Sequence, residues 1–158
     1  MSEEPLELRV GELLVQRGLT VATAESCTGG LIGHLLTNVS GSSAYVLGGI
    51  IAYSNGIKQA LLGVDAITLE RYGAVSEPVA LEMARGARLR FGADLAVSAT
   101  GIAGPTGGTP EKPVGLVYIG LAARDGERCM RYVWNEDRLG NKQRSAEAAL
   151  RLLLDFLG

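Results

Sequence analysis

Ala24-Glu25-Ser26-Cys27-Thr28-Gly29-Gly30 follows the β-branched run Thr20-Val21-Ala22-Thr23 and precedes the apolar segment Leu31-Ile32-Gly33-His34-Leu35-Leu36. The order reads as a strand, a turn of small polar residues, and a helix. Such a junction sets small side chains at a helix N-terminus, where backbone N–H groups lack intrahelical partners and the dipole favours negative charge. In an α/β protein that is a place for an anion or a nucleophile. The same residues also make a plain helix start, with Ser26 or Thr28 as cap and the glycines closing the turn. Taken alone, a serine before a helix is more often a cap, so the choice falls to the rest of the chain.

Outward from this stretch, composition sets the frame. A chain of 158 residues suits one domain, expected over residues 1–158. Hydrophobic residues at 47% supply a core without disulfides or metal. The net charge of −2 gives no electrostatic case for nucleic acid or an anionic membrane, and aromatics at 5% are too few for a base-stacking platform. No apolar run is long enough to span a bilayer, and Met1–Leu8 is acidic, unlike a signal peptide. Cys27 and Cys129 lie far apart with no C-x-x-C spacing, which fits a reducing cytosol; a cytoplasmic location is expected. With His34 as its single histidine, the chain is a poor candidate for a His-based metal site.

Periodicity then places the elements. Leu6, Val10, Leu13 and Leu14 share one face of a helix over Pro5–Arg17, closed by Gly18. Buried strands are expected at Thr20–Ala24 and Asp94–Ala99, and another strand over Ala44–Tyr53. Helices are expected over Leu31–Asn38, from the polar patch after Tyr53 through Leu62, over Ala66–Arg71, and over Val79–Phe91 after the start signal Ser76-Glu77-Pro78. Val114–Ala122 and Arg128–Trp134 read as strands joined at Arg124-Asp125-Gly126-Glu127, with Asp-Gly at the turn, and Lys142–Leu157 as a closing amphipathic helix. Helix–strand alternation followed by a hairpin predicts a three-layer α/β/α fold with a mixed, partly parallel sheet.

In such a sheet, ligands bind beyond the carboxyl ends of the strands. Three expected strands end in polar loops: Glu25–Gly30, Tyr53-Ser54-Asn55-Gly56-Ile57-Lys58, and the Gly-rich run Thr100-Gly101-Ile102-Ala103-Gly104-Pro105-Thr106-Gly107-Gly108. If the strands are parallel, the loops open on one edge. The third loop is neither a Walker A loop nor a dinucleotide fingerprint, because the required Lys and glycine spacing are missing. Its glycines suit close backbone approach to a phosphate or an oxyanion. Lys58 is either a surface charge or a desolvated base facing a strand-end serine, and Tyr53 is either an anchor or a proton relay. Cys27 competes with Ser26 for the nucleophile's role but has no basic partner nearby, so it reads as a packing residue, and His34 as a helix residue. Glu25 is either a structural acceptor of backbone N–H groups or a ligand contact. Arg138, Lys142 and Arg144 either solvate a helix or clamp phosphate.

With these residues assembled, the chain resembles the C-terminal domain family of competence/damage-inducible protein CinA, whose stand-alone members are of the nicotinamide-nucleotide amidase (PncC) type. The resemblance is carried by Thr23–Gly30, Gly48-Gly49-Ile50-Ile51-Ala52-Tyr53-Ser54-Asn55, Lys58, Ala74-Val75-Ser76 and Ala99–Pro105, and it extends to Ser145–Leu150. It implies an α/β/α domain that hydrolyses the carboxamide of nicotinamide mononucleotide to nicotinate mononucleotide and ammonia, in pyridine-nucleotide recycling. Carried onto this chain, it implies Ser26 as nucleophile, Lys58 as general base and Tyr53 as an aid to proton transfer, with no metal or redox cofactor. Substrate contacts are then expected from Glu25, Thr28, Gly29, Gly30, Ser54, Asn55, Thr100, Gly101, Ile102, Ala103, Gly104, Arg138 and Arg144. Thr28–Gly30 would hold the oxyanion and Thr100–Gly104 the ribose phosphate, or the reverse. The expected partner is a small-molecule nucleotide, and a homo-oligomer is left open. The rival reading is a non-catalytic pyridine-nucleotide-binding module serving a partner protein.

Overall fold

The computed structural model describes residues 3–158. Among the described residues, six α-helices and five strands follow the order α1 (Leu6–Arg17), β1 (Val21–Glu25), α2 (Leu31–Thr37), β2 (Val46–Ile51), α3 (Asn55–Leu62), α4 (Ala66–Tyr72), α5 (Glu77–Phe91), β3 (Leu95–Gly101), β4 (Leu116–Ala123), β5 (Gly126–Val133) and α6 (Arg138–Leu157). One sheet runs β2-β1-β3-β4-β5. β1 pairs in parallel with both β2 and β3, and the rest is antiparallel. The fold is the expected three-layer α/β/α with a mixed sheet.

Strand alternation sorts the two faces. Val21, Val97 and Ile119 pack with Val10, Leu14, Ile32, Leu36, Leu150 and Leu153 from α1, α2 and α6. Ala22, Ala24 and Ala96 point the other way, toward Leu62, Val79 and Met83 of α3 and α5. That second face is made of small residues, so α5 lies close to the sheet. A Cβ on Gly120 would stand 2.6 Å from the Ala80 carbonyl oxygen. Ser98 Oγ donates to that same oxygen at 2.6 Å.

Several boundaries differ from the expected ones. A short 3₁₀ turn occupies Ser42–Ala44, so β2 begins only at Val46. Ala123 pairs with Gly126, which centres the hairpin turn on Arg124-Asp125 rather than Asp-Gly. α6 begins at Arg138, four residues before Lys142, because the Asp137 side chain accepts from Gly140 N–H and caps the helix there. This last difference matters most, since it puts another turn of helix beside the parallel strand ends.

Candidate active site

Because β1, β2 and β3 are parallel, their carboxyl ends share one edge of the sheet. The antiparallel pairs bring a fourth segment there: Gly101 pairs with Val117, and Leu116 with Val133. The chain leaving β5 therefore enters α6 at the same edge.

Ser26 is pinned at this edge by its own N–H, which donates to the Ala99 carbonyl at 2.9 Å. Lys58 arrives from the first turns of α3. Ser54 caps that helix, its Oγ accepting from Ile57 N–H at 3.2 Å. Lys58 Nζ donates to Ser26 Oγ at 3.1 Å and to the Tyr53 carbonyl at 3.2 Å. Lys58 is 1% exposed and Ser26 8% exposed. Burial holds the Lys58 ammonium below the ordinary lysine value, with neighbouring Cys27 acting in the opposite direction. An amine in this setting gives up its proton more readily than a surface lysine.

Cys27 lies in the apolar cluster of the α1/α2/α6 face, and burial is the main cause that pushes its thiol up to about 12. The thiol therefore stays protonated at neutral pH. A cavity of about 200 Å³ opens over Ser26 and Lys58. Its wall includes Cys27, Tyr53, Asn55, Thr100, Gly101, Ala103 and Arg138, together with Ala74 and Val75 from the α4–α5 connection.

Tyr53 is placed differently from a relay beside the amine. The residue is 63% exposed and its hydroxyl accepts from Arg138 Nη2 at 3.2 Å, so its backbone carbonyl is what meets Lys58. Glu25 is occupied elsewhere. One carboxylate oxygen accepts from Thr28 Oγ1 at 2.7 Å and Ile32 N–H at 2.8 Å, and the other from Gly33 N–H at 2.9 Å. Its carboxylate thus ties β1 to the start of α2, the structural one of the two uses expected of it. Ser54 is spent on the α3 cap. Arg144 pairs with Glu136 at 3.2 Å and does not line the cavity.

Thr100 lines the cavity, but its hydroxyl donates to the Ala74 carbonyl at 2.8 Å. Ile102 sits behind the wall, its N–H and carbonyl paired with Leu116 and Gly115. Gly104 accepts from Arg138 Nη1 at 2.8 Å through its carbonyl. Thr28, Gly29 and Gly30 border a separate cavity of about 520 Å³ with Leu31, His34, Leu139, Lys142 and Gln143.

Asn141 escapes the sequence reading. It is 1% exposed, its Nδ2 donates to the Ala103 carbonyl at 2.9 Å, and its Oδ1 accepts from Glu136 N–H at 3.0 Å. It fastens the Gly-rich loop to α6. The one signal for it was Asp137 as a helix cap, which makes Asn141 a first-turn residue rather than part of a loop. Among the described residues, no group of three His, Cys, Asp or Glu side chains is placed to hold a metal ion, and no helix is long and apolar enough to cross a membrane.

Comparison with known proteins points one way. The profile of the CinA C-terminal domain matches residues 3–157. A CinA-like protein of Chlorobaculum tepidum is 59% identical over 158 residues, covering 97% of this chain and 37% of that protein. The chain thus spans little more than a third of the length of the curated relatives it matches. The crystal structure of competence/damage inducible protein CihA from Agrobacterium tumefaciens superposes with a TM-score of 0.88 at 42% identity, covering 98% of each chain. A CinA superfamily protein from Klebsiella pneumoniae superposes with a TM-score of 0.93 at 33% identity, covering 96% of this chain and 95% of its own.

Proposed function

The chain belongs to the CinA C-terminal domain family, and from that premise we propose that it is an amidohydrolase acting on the carboxamide of nicotinamide mononucleotide. The observation that carries this reading is the buried Lys58 Nζ at 3.1 Å from Ser26 Oγ. A pure binding module has no need of a desolvated amine on a serine hydroxyl.

The chemistry is acyl transfer. Neutral Lys58 takes the Ser26 proton as Oγ attacks the carboxamide carbon. Lys58 then returns that proton to the departing nitrogen, and ammonia leaves an ester on Ser26. Water attacks the ester with Lys58 again as base, releasing nicotinate mononucleotide and restoring the serine. The Tyr53 carbonyl holds Nζ in line for both transfers. Tyr53's own ring, joined to Arg138, borders the cavity mouth and contributes to substrate placement. Cys27, protonated and packed, is not the nucleophile.

An ammonia-release assay with nicotinamide mononucleotide tests the reading directly. Wild type is expected to release ammonia, and Ser26→Ala to release essentially none while keeping its fold. Calorimetry separates the rival binding module, which predicts nucleotide binding by wild type with no ammonia formed.

A further inference from the structure

The cavity over Ser26 holds about 200 Å³, below the roughly 300 Å³ at which ligand pockets usually begin. On the amidase reading, on which this inference rests, it has room for the carboxamide-bearing ring but not for the whole mononucleotide. The ribose and phosphate then extend beyond it, and two neighbouring surfaces are candidates for them.

One direction is the Gly-rich loop. There the Ala103 and Gly104 carbonyls face Asn141 Nδ2 and Arg138 Nη1, and the Ile102 N–H is taken by Leu116. Residues 100–108 supply no lysine or arginine of their own to hold a phosphate. The other direction crosses the Cys27–Gly29 turn into the 520 Å³ cavity. Lys142 lines it, and a Cβ on Gly29 would stand 3.5 Å from Lys142 Nζ. Among the described residues, Lys142 has no carboxylate partner and makes no side-chain hydrogen bond. It follows Arg138 by four residues on α6, so the two cations share a helix face, Arg138 on the smaller cavity and Lys142 on the larger. The start of α2 is not the anchor, because Glu25 already takes its Ile32 and Gly33 N–H groups.

We infer that Lys142 holds the substrate's phosphate in the second cavity, with Arg138 at the passage between the two.

The test is calorimetric, so it does not depend on turnover. Nicotinate mononucleotide and phosphate-free nicotinate riboside are titrated into wild type, Lys142→Ala, Lys142→Gln and the control Arg151→Ala. The mononucleotide is expected to weaken about 10- to 100-fold in both Lys142 variants, with the riboside unchanged. Arg151→Ala, which removes a cation farther along α6, is expected to bind both ligands as wild type does. Equal weakening of both ligands, unchanged mononucleotide binding in the Lys142 variants, or no mononucleotide binding by wild type overturns the inference. Ammonia release is scored separately. Turnover without a Lys142-dependent phosphate preference sinks the inference alone, and phosphate-dependent binding without turnover sinks the amidase reading alone.

Discussion

Lys58 Nζ lies 3.1 Å from Ser26 Oγ across a sequence separation of 32 residues, at the junction of two parallel strand ends. The amine is buried but has no carboxylate partner among the described residues; a hydroxyl and a carbonyl receive its protons. This is an arrangement that favours the neutral base over the ammonium.

Removing either member should stop the reaction. Lys58→Ala and Ser26→Ala are each expected to lower ammonia release by at least about 10³-fold. Lys58→Arg is expected to be equally inactive, since a guanidinium does not surrender its proton. Lys58→Met is the informative companion. It fills the same volume without a charge to desolvate, so its thermal midpoint should equal or exceed wild type while activity is lost. A large fall in midpoint for Lys58→Met would show that the amine is needed for packing, not chemistry.

The sign of the pH dependence follows from the lowered Lys58 value. The active form is the neutral amine, so kcat/KM should rise with pH along an acid limb centred below the ordinary lysine value of 10.5. Stability runs the same way. Between the folded and unfolded Lys58 values the unfolded chain binds the extra proton, so unfolding free energy rises with pH through that window. Below the folded value both states are protonated and the slope vanishes. Denaturant titrations of wild type and Lys58→Met across alkaline pH check this, and the mutant should lack the rise.

Glu25 is expected to act on stability more than on chemistry. Its carboxylate accepts three hydrogen bonds and is buried. Glu25→Gln keeps one acceptor oxygen but turns an NH₂ group toward N–H donors, at a cost of about 2 kcal/mol. Urea unfolding measures it. An unchanged midpoint would mean that water or a rearranged turn replaces the carboxylate.

Asn141→Ala is expected to lower kcat/KM about tenfold and to destabilise by about 2 kcal/mol, because the Ala103 carbonyl and Glu136 N–H lose their partner. As a positioning residue it should leave the pH profile of kcat/KM unmoved in shape. A shifted acid limb in Asn141→Ala would place it in contact with the titrating base instead.

Gly86→Ala tests the close approach of α5. A Cβ there runs into the Leu62 carbonyl, a backbone atom with little freedom to move. A loss of about 1–3 kcal/mol is expected in chemical denaturation, despite alanine's better helix propensity.

Much of this was legible from residues alone. The β-branched run before Glu25–Gly30, the apolar spacing of α1 and α5, and the glycines after helices each act locally, so they fix element type without knowledge of the rest. The parallel pairing expected from helix–strand alternation also held, and with it the shared edge for Ser26, Tyr53, Lys58 and Thr100. What local reading could not separate were polar side chains with two uses. Glu25, Ser54 and Arg144 are small or charged residues near a strand end or helix start, and the same composition serves a cap, an ion pair or a ligand contact. Only the position of the acceptor decides. Asn141 was hidden because the start of α6 depends on Asp137 capping a turn whose sequence, Arg138-Leu139-Gly140-Asn141, has no strong helical pattern of its own.

The sequence by itself thus determined the layers and the alternation, because hydrophobic periodicity and turn chemistry are short-range, while the family came from the resemblance of its motifs. The tertiary structure decided which of the polar groups face one another. Strand register set Ser26 against Lys58, and the antiparallel return of β5 delivered Arg138, Asn141 and Lys142 to an edge built by residues far earlier in the chain. Contacts across such separations are fixed by the closing of a whole sheet, and no window of sequence contains both partners.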